Sequence, residues 1–270
     1  MEDKKSVFNF LKNILYAHKC KLCGEVINIF EYEDLRLKKY VCDACESILR
    51  LTEDYVCCGV CGTPLRPRKG DNGDGVYALC DVCEKYAPFN YDRAVSAVVH
   101  DDLTNNPVLK LKSGDASPLD YMTDLMAGVY KKRYSRLGIE IATSVPTSGN
   151  LEDNHSAALC RALSGKVGLE YVPGIIVTRE ARNKQKYLSS PERRTNLDGS
   201  MAVVDSSAIR NGNILVVDDV FTTGATIDEC ARALKAGGAA KVYGITFTTN
   251  GRYIDGLDAN FSGRREIYGY

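Results

Sequence analysis

Residues 214–226 read Ile-Leu-Val-Val-Asp-Asp-Val-Phe-Thr-Thr-Gly-Ala-Thr, and the fold turns on them. Ile214, Leu215, Val216 and Val217 form an apolar run with no polar alternation, which suits a strand covered on both faces at the centre of a parallel sheet. Asp218 and Asp219 follow at its exit, then Val220-Phe221, then the loop Thr222-Thr223-Gly224-Ala225-Thr226. Asp228 and Glu229 next, a run of Ala and Leu, and Gly237-Gly238 describe a helix marked at both ends. A loop that ends at a helix N-terminus offers unpaired backbone N–H groups and a positive partial charge; glycine lets the backbone close on an anion, and threonine hydroxyls add donors. Two carboxylates would be poor neighbours for an anion alone, but they suit sugar hydroxyls or a shared Mg²⁺. Taken alone, the loop fits a plain helix N-cap with solvated acids equally well. The strand and paired aspartates ahead of it favour the anion cradle.

Working outward, the pattern from residue 91 onward predicts strands near 93–100, 139–145, 175–179, 200–204, 214–218 and 241–248. Helices are predicted over 119–133, 156–167 and 226–236. Strands alternating with helices imply right-handed crossovers and a largely parallel sheet flanked by helices, an α/β fold. Ligands of such sheets bind beyond the carboxyl ends of the strands.

The first 86 residues are of another kind. Nine of the eleven cysteines precede Glu84. Cys20-x-x-Cys23 and Cys42-x-x-Cys45 are separated by eighteen residues, and so are Cys58-x-x-Cys61 and Cys80-x-x-Cys83, which makes an internal repeat. Gly24 and Gly62 follow the first pair of each repeat, as a tight turn with N–H groups facing thiolates requires. Two such pairs can close a tetrahedral Zn²⁺ site, and four thiolates leave no open position, so two structural zinc ions are expected. Buried free thiols and a redox-active pair are the competing readings. Spacing leaves both sequential and interleaved pairing open, with sequential the simpler. Cys57 breaks the pattern, and His18 reads as a packed or solvated side chain or as an alternative ligand. Ala87-Pro88-Phe89-Asn90 reads as a linker, giving a zinc-ribbon module over 18–86 and a second domain over 91–262.

With 270 residues, 44% hydrophobic, the chain can bury one full core beside a small module. Thirty-five basic and thirty-five acidic residues cancel, which disfavours a general electrostatic grip on nucleic acid or acidic membrane. Over 1–17, Val7, Phe10, Leu11, Ile14 and Leu15 fall on one face of an amphipathic helix, and Lys12 and Asn13 interrupt what would otherwise resemble a secretion signal. No stretch is apolar enough to span a bilayer. A cytoplasmic location is expected, where thiols hold metal rather than form disulfides.

The strand, acid pair and Thr-Thr-Gly-x-Thr loop resemble the 5-phosphoribosyl-1-pyrophosphate (PRPP) motif of type I phosphoribosyltransferases. That resemblance implies that Asp218 and Asp219 bind ribose hydroxyls at the catalytic centre and that Thr222, Thr223, Gly224, Ala225 and Thr226 bind the 5-phosphate. It also implies a reaction in which a nitrogen nucleophile displaces pyrophosphate from the anomeric carbon, with Mg²⁺ bridging pyrophosphate and ribose. Such chemistry needs neutralised charge and positioning rather than a nucleophilic side chain.

Joined to a double zinc ribbon, this domain resembles the ComF family (ComFC-like proteins) over nearly the full chain. Leu109-Lys110-Leu111-Lys112-Ser113-Gly114-Asp115 is similar to the family's Leu-Lys-Phe-x-Gly stretch. Arg179, Gln185, Leu188, Glu192-Arg193 and Asn196 follow the order of a second family segment. Ser144-Val145-Pro146-Thr147 resembles its pyrophosphate loop, and Arg179, Arg182, Lys184 and Lys186 read either as a loop closing over pyrophosphate or as a solvated charged loop. Where the family carries Arg-Gly-Phe-Asn-Gln, this chain has Leu151-Glu152-Asp153-Asn154-His155, so an arginine is missing and two acids have appeared. The departure bears on turnover more than on ribose-phosphate binding. His155 reads as a stand-in donor or as a plain helix N-terminal histidine.

Three readings follow. The chain is a phosphoribosyltransferase, of the glycosyltransferase class and nucleotide metabolism, that binds PRPP or a related ribose-5-phosphate ligand with Mg²⁺. Or it is a non-catalytic accessory protein of competence and DNA uptake that contacts single-stranded DNA or a DNA-processing, helicase-like partner, with Lys19, Lys21, Arg66, Arg68 and Lys69 beside the cysteines. Or it is a PRPP-sensing regulator.

Overall fold

The computed structural model describes residues 18–27, 40–65, 78–147, 154–178, 199–252 and 254. The expected N-terminal helix over 1–17, residues 151–153 and the basic segment containing Arg179, Arg182, Lys184 and Lys186 lie outside the described residues.

At the centre is a five-stranded, all-parallel sheet. It comprises β1 (Arg93–Val99), β2 (Ile139–Ser144), β3 (Glu170–Tyr171), β6 (Asn213–Phe221) and β7 (Lys241–Thr249) in the order β1-β7-β6-β2-β3. The apolar run is where its pattern puts it: Ile214, Leu215, Val216 and Val217 are wholly buried in β6, between β2 and β7. The strand runs further than expected. Asp218 and Asp219 lie inside it, because Val220 and Phe221 continue the pairing with Thr248 and Thr249 of β7.

Helices α3 (Asp102–Lys112), α4 (Leu119–Arg133), α5 (His155–Val167) and α6 (Ala225–Ala236) connect the strands. The last three match the predicted helices to within a residue. Helix α3 is new to the structure; Asn105-Asn106-Pro107 hides it in the sequence, yet a capping box between Asp101 and Thr104 starts it and carries it past Pro107. The α6 approach to β7 is tight: a Cβ at Gly244 would fall 2.8 Å from Ile227 Cγ2. The predicted strands near 175–179 and 200–204 do form, as β4 (Ile176–Thr178) and β5 (Met201–Val203), but they make a separate antiparallel pair outside the parallel sheet. Buried Glu229 of α6 holds that pair, accepting from the Met201 N–H at 2.9 Å while Arg232 clamps it at 2.7 Å.

The cysteine repeats pack against the β1 side of the sheet. Short helices α1 (Asp43–Ile48) and α2 (Asp81–Tyr86) begin immediately after Cys42 and Cys80. The segment between the repeats runs along the edge strand: Val99 N–H donates to Arg50 O at 2.9 Å, and Leu51 bridges Val98 in antiparallel sense. The linker is anchored as well. Phe89 stacks on Tyr91, and Asn90 donates through its N–H (2.6 Å) and its side-chain amide (3.1 Å) to the Asp228 carboxylate on the first turn of α6.

Candidate functional site

The eight paired cysteines gather sequentially, Cys20, Cys23, Cys42 and Cys45 in one cluster and Cys58, Cys61, Cys80 and Cys83 in the other, with the sulfurs of each cluster within 4.8 Å of one another. The interleaved alternative is not what the fold builds. The repeat extends to the main chain: Cys20 N–H to Glu25 O and Ile27 N–H to His18 O in the first unit are matched by Cys58 N–H to Thr63 O and Leu65 N–H to Val56 O in the second. Gly24 and Gly62 both have positive φ, and their N–H groups donate to the carbonyls of Cys20 and Cys58. The N–H groups that face sulfur include those of Cys83, to Cys80 Sγ at 3.4 Å, and of Cys80, to Cys58 Sγ at 3.5 Å.

Zinc fits both clusters. Cys23 and Cys42 Sγ are 3.7 Å apart, as are Cys61 and Cys80 Sγ, close to the ~3.8 Å edge of a tetrahedron with Zn–S of about 2.3 Å. In the second cluster, hydrogen bonds from the Cys61, Cys80 and Cys83 thiols lower the Cys58 thiol, while the Cys61 and Cys83 thiols are pushed up, each first by its bond with Cys58. Four sulfurs thus share protons that a dication would displace. Cys57 stands outside: its thiol donates to Thr52 O at 3.2 Å, and burial pushes it up to about 12.

The second site lies at the carboxyl end of β6, where two elements beyond the predicted motif converge on it. Asn154 caps α5 by accepting from the Ser156 and Ala157 N–H groups at 2.9 and 3.2 Å, and its amide donates to Val145 O at 3.0 Å. That cap fastens the end of β2 to the start of α5, setting His155 and Ser156 over the aspartates. Ser156 Oγ donates to Asp218 Oδ1 at 2.9 Å, and the Asp219 N–H reaches the same oxygen at 2.9 Å. Burial, then the neighbouring Asp219 charge, raises the Asp218 carboxyl to about 7. Asp219 Oδ2 is buried without a well-directed hydrogen bond and, among the described residues, faces the Lys112 ammonium at 2.7 Å and the His155 imidazole Nε2 at 3.6 Å. Burial lowers the His155 imidazole, against the pull of Asp219.

His155, Asp218 and Asp219 each present a ligand atom within 4.8 Å of the others. Two carboxylates and an imidazole around a buried oxygen lacking a directed donor suit a divalent cation; carboxylate oxygen serves Mg²⁺, and the imidazole widens the set toward Mn²⁺. The loop follows directly. Gly224 takes a left-handed conformation (φ 75°) as the N-cap of α6, and a Cβ there would fall 2.5 Å from the Phe221 ring. Thr222 is exposed, Thr223 and Thr226 are half-buried, and Gly224 and Ala225 are buried. Asn250 Nδ2 holds the Thr222 carbonyl at 2.7 Å.

Sequence reasoning thus located the aspartates, the loop and the end of β2, where Ser144 pairs with Val217 and Val145 N–H bonds Val217 O. It gave no role to Lys112 or Ser156. The Leu-Lys-x-Lys stretch contained Lys112, but nothing local says that α3 ends beside β6.

Residues 155–262 match the family model described as the phosphoribosyl transferase domain. The competence protein ComFC of Bacillus subtilis is 24% identical over 225 residues, 78% of this chain and 85% of that protein. The DNA utilization protein YhgH of Escherichia coli O157:H7 is 34% identical over 89 residues, 33% of this chain; the match spans only 38% of that relative's length. Among solved structures, the glutamine PRPP amidotransferase from B. subtilis superposes over 48% of this chain and 26% of its own, with 17% identity and a TM-score of 0.34, too loose an overlap to add to the sheet order. With a parallel sheet flanked by helices, the domain model matched over residues 155–262 and two four-cysteine clusters that fit a double zinc ribbon ahead of it, the chain carries a type I phosphoribosyltransferase-like fold and is similar over most of its length to the competence protein ComFC.

Proposed function

We propose that the carboxyl end of β6 binds PRPP, or a related ribose 5-phosphate ester, together with a divalent cation, Mg²⁺ in the first instance. One observation carries the reading: β6 delivers Asp218 and Asp219 to the same end of the sheet at which Gly224, in a conformation a side chain would strain, opens the N-terminus of α6. In it, Thr222, Thr223, Gly224, Ala225 and Thr226 offer hydroxyls and N–H groups to the 5-phosphate. Asp218 and Asp219 accept from ribose hydroxyls and, with His155, hold the cation. Ser144 and Val145, with Arg179 and Lys184, belong to the pyrophosphate side. The division into a zinc module over 18–86 and a phosphoribosyltransferase-like domain over 91–262 is part of the same proposal.

The residues assign no nucleophile. What they supply is charge neutralisation and placement for attack on the anomeric carbon by an external nitrogen acceptor. Calorimetric titration of PRPP with Mg²⁺ into wild type and into Asp218→Asn/Asp219→Asn tests the site: saturable binding in the first and none in the second is expected, and equal binding in both would remove the aspartates from it. Pyrophosphate release across a panel of bases and amines then separates transfer from sensing; binding without release from any acceptor leaves the sensing role.

A second reading is favoured by the names of the relatives, which are proteins of competence and DNA utilization. In it the chain assists DNA uptake or processing, and Lys19 and Lys21, flanking Cys20, contact backbone phosphate. Affinity for single-stranded DNA that neither falls with salt nor changes when both lysines are neutralised would end that reading.

A further inference from the structure

We propose that Lys112 is a resident counter-ion of the carboxylate site, which fills the place of the divalent cation and thereby makes cation and diphosphate bind together rather than separately. The inference rests on the reading of this site as one for a cation and a phosphorylated ligand, and it adds a coupling that the reading does not contain.

The two aspartates are held differently. Asp218 is fixed by donors that belong to the fold, Ser156 Oγ and the Asp219 N–H, both at 2.9 Å. Asp219, whose side chain is only 7% exposed, has for its Oδ2 the Lys112 ammonium at 2.7 Å and the His155 imidazole at 3.6 Å. Lys112 is the last residue of α3, so its Cα is set by the helix end while its chain spans to β6 with 42% of the side chain exposed. A long, partly solvated side chain is free to leave; a buried carboxylate is not.

The ammonium sits on an oxygen of the trio His155, Asp218 and Asp219, whose ligand atoms lie within 4.8 Å of one another. A dication coordinating Asp219 Oδ2 must therefore expel Lys112 or bear its repulsion at close range. A cation arriving alone gives the displaced ammonium no new partner. A cation arriving with a diphosphate brings phosphate oxygens that accept the freed Nζ, so the two affinities are coupled, and coupling of this kind is reciprocal.

Zinc-loaded full-length protein titrated with Mn²⁺, with and without inorganic pyrophosphate, tests this by the electron paramagnetic resonance of free Mn²⁺. Wild type should hold Mn²⁺ weakly alone and more tightly with pyrophosphate. Lys112→Met should hold Mn²⁺ alone about tenfold more tightly and gain less from pyrophosphate, and Lys112→Arg should behave as wild type. Adding Asp219→Asn to Lys112→Met should erase the gain. Mn²⁺ binding unchanged or weakened in Lys112→Met, or a gain that survives Asp219→Asn, would overturn the proposal. The substitution replaces one good helix former with another at a half-exposed position, and a thermal melt verifies folding. No arm uses PRPP: a wild type that fails to bind PRPP while Lys112→Met gains Mn²⁺ would refute the ligand and keep the counter-ion.

Discussion

The cysteine clusters and the carboxylate cluster both crowd groups that repel one another when charged, and the fold treats them in opposite ways. Around the cysteines the crowding is closed. Four sulfurs face each other, turns repeat bond for bond in both units, and six of the eight thiols are buried, Cys23 and Cys42 being the more open. Around β6 the crowding is left open. A dry aspartate is balanced by a lysine that reaches in from solvent and by an imidazole that burial keeps from charging. A closed set of ligands holds a permanent ion and lends its binding energy to folding; an open set, guarded by a movable charge, receives a visitor.

Substitutions should separate the two. The largest effect is expected at Cys61→Ser, in the fully buried cluster, where loss of a thiolate should lower unfolding free energy by about 4 kcal/mol or more and reduce bound zinc from two per chain to one, read by denaturant titration and metal analysis. An unchanged zinc content would place the cysteines outside metal binding. Asp218→Asn/Asp219→Asn should do the reverse, weakening PRPP–Mg²⁺ binding at least ~100-fold while leaving the melting temperature unchanged or raised, since a buried like-charge pair is relieved. A melting temperature that falls as far as for Cys61→Ser would erase the distinction.

Gly224→Ala tests the loop between these extremes. The new Cβ meets the Phe221 ring and the residue is held at positive φ, so a loss of ~1–3 kcal/mol in stability is expected, with weaker phosphate binding that titration with ribose 5-phosphate would register. The last effect concerns pH and is read as a slope rather than as a single loss. The Asp218 carboxyl, raised by burial and by Asp219 to about 7, binds a proton more tightly folded than unfolded. Its contribution is therefore fully present below the unfolded carboxylate value and lost as pH rises through 7. Stability of the ligand-free protein should decline between about pH 4 and 7 by at most about 1.4 kcal/mol per pH unit, and Asp218→Asn should remove that slope. A slope unaltered in the variant would assign it to another group.

What was legible in the sequence was whatever one segment specifies by itself. An unbroken Ile-Leu-Val-Val run suits burial on both faces, and a doubled Cys-x-x-Cys spacing suits two closed clusters better than free or redox-active thiols, though it left their pairing to the fold. Asp218 and Asp219 were legible as a pair, though not as residues inside the strand, because the pairing of Val220 and Phe221 with β7 is decided by the neighbour's length. Helix α3 was obscured by Pro107, whose cost is offset by the Asp101–Thr104 capping box and by burial of Val108 and Leu111. Lys112 and Ser156 were illegible as site residues for a different reason: each belongs to another helix, and only the order β1-β7-β6-β2-β3 brings those helix ends to one strand.

The strip of chain between the cysteine repeats, with Arg50 and Leu51 laid against β1, has a bearing on supply. An edge strand left bare is a template for pairing with other chains, and here the cover is a segment held at both ends by four-sulfur clusters that fit a zinc ion. In a zinc-starved cell the first casualty would be this cover rather than the ligand site, and the exposed edge would commit the chain to aggregation or proteolysis. The amount of folded protein would then follow the zinc available during synthesis, so that the carboxyl end of β6 would depend on a metal it never touches.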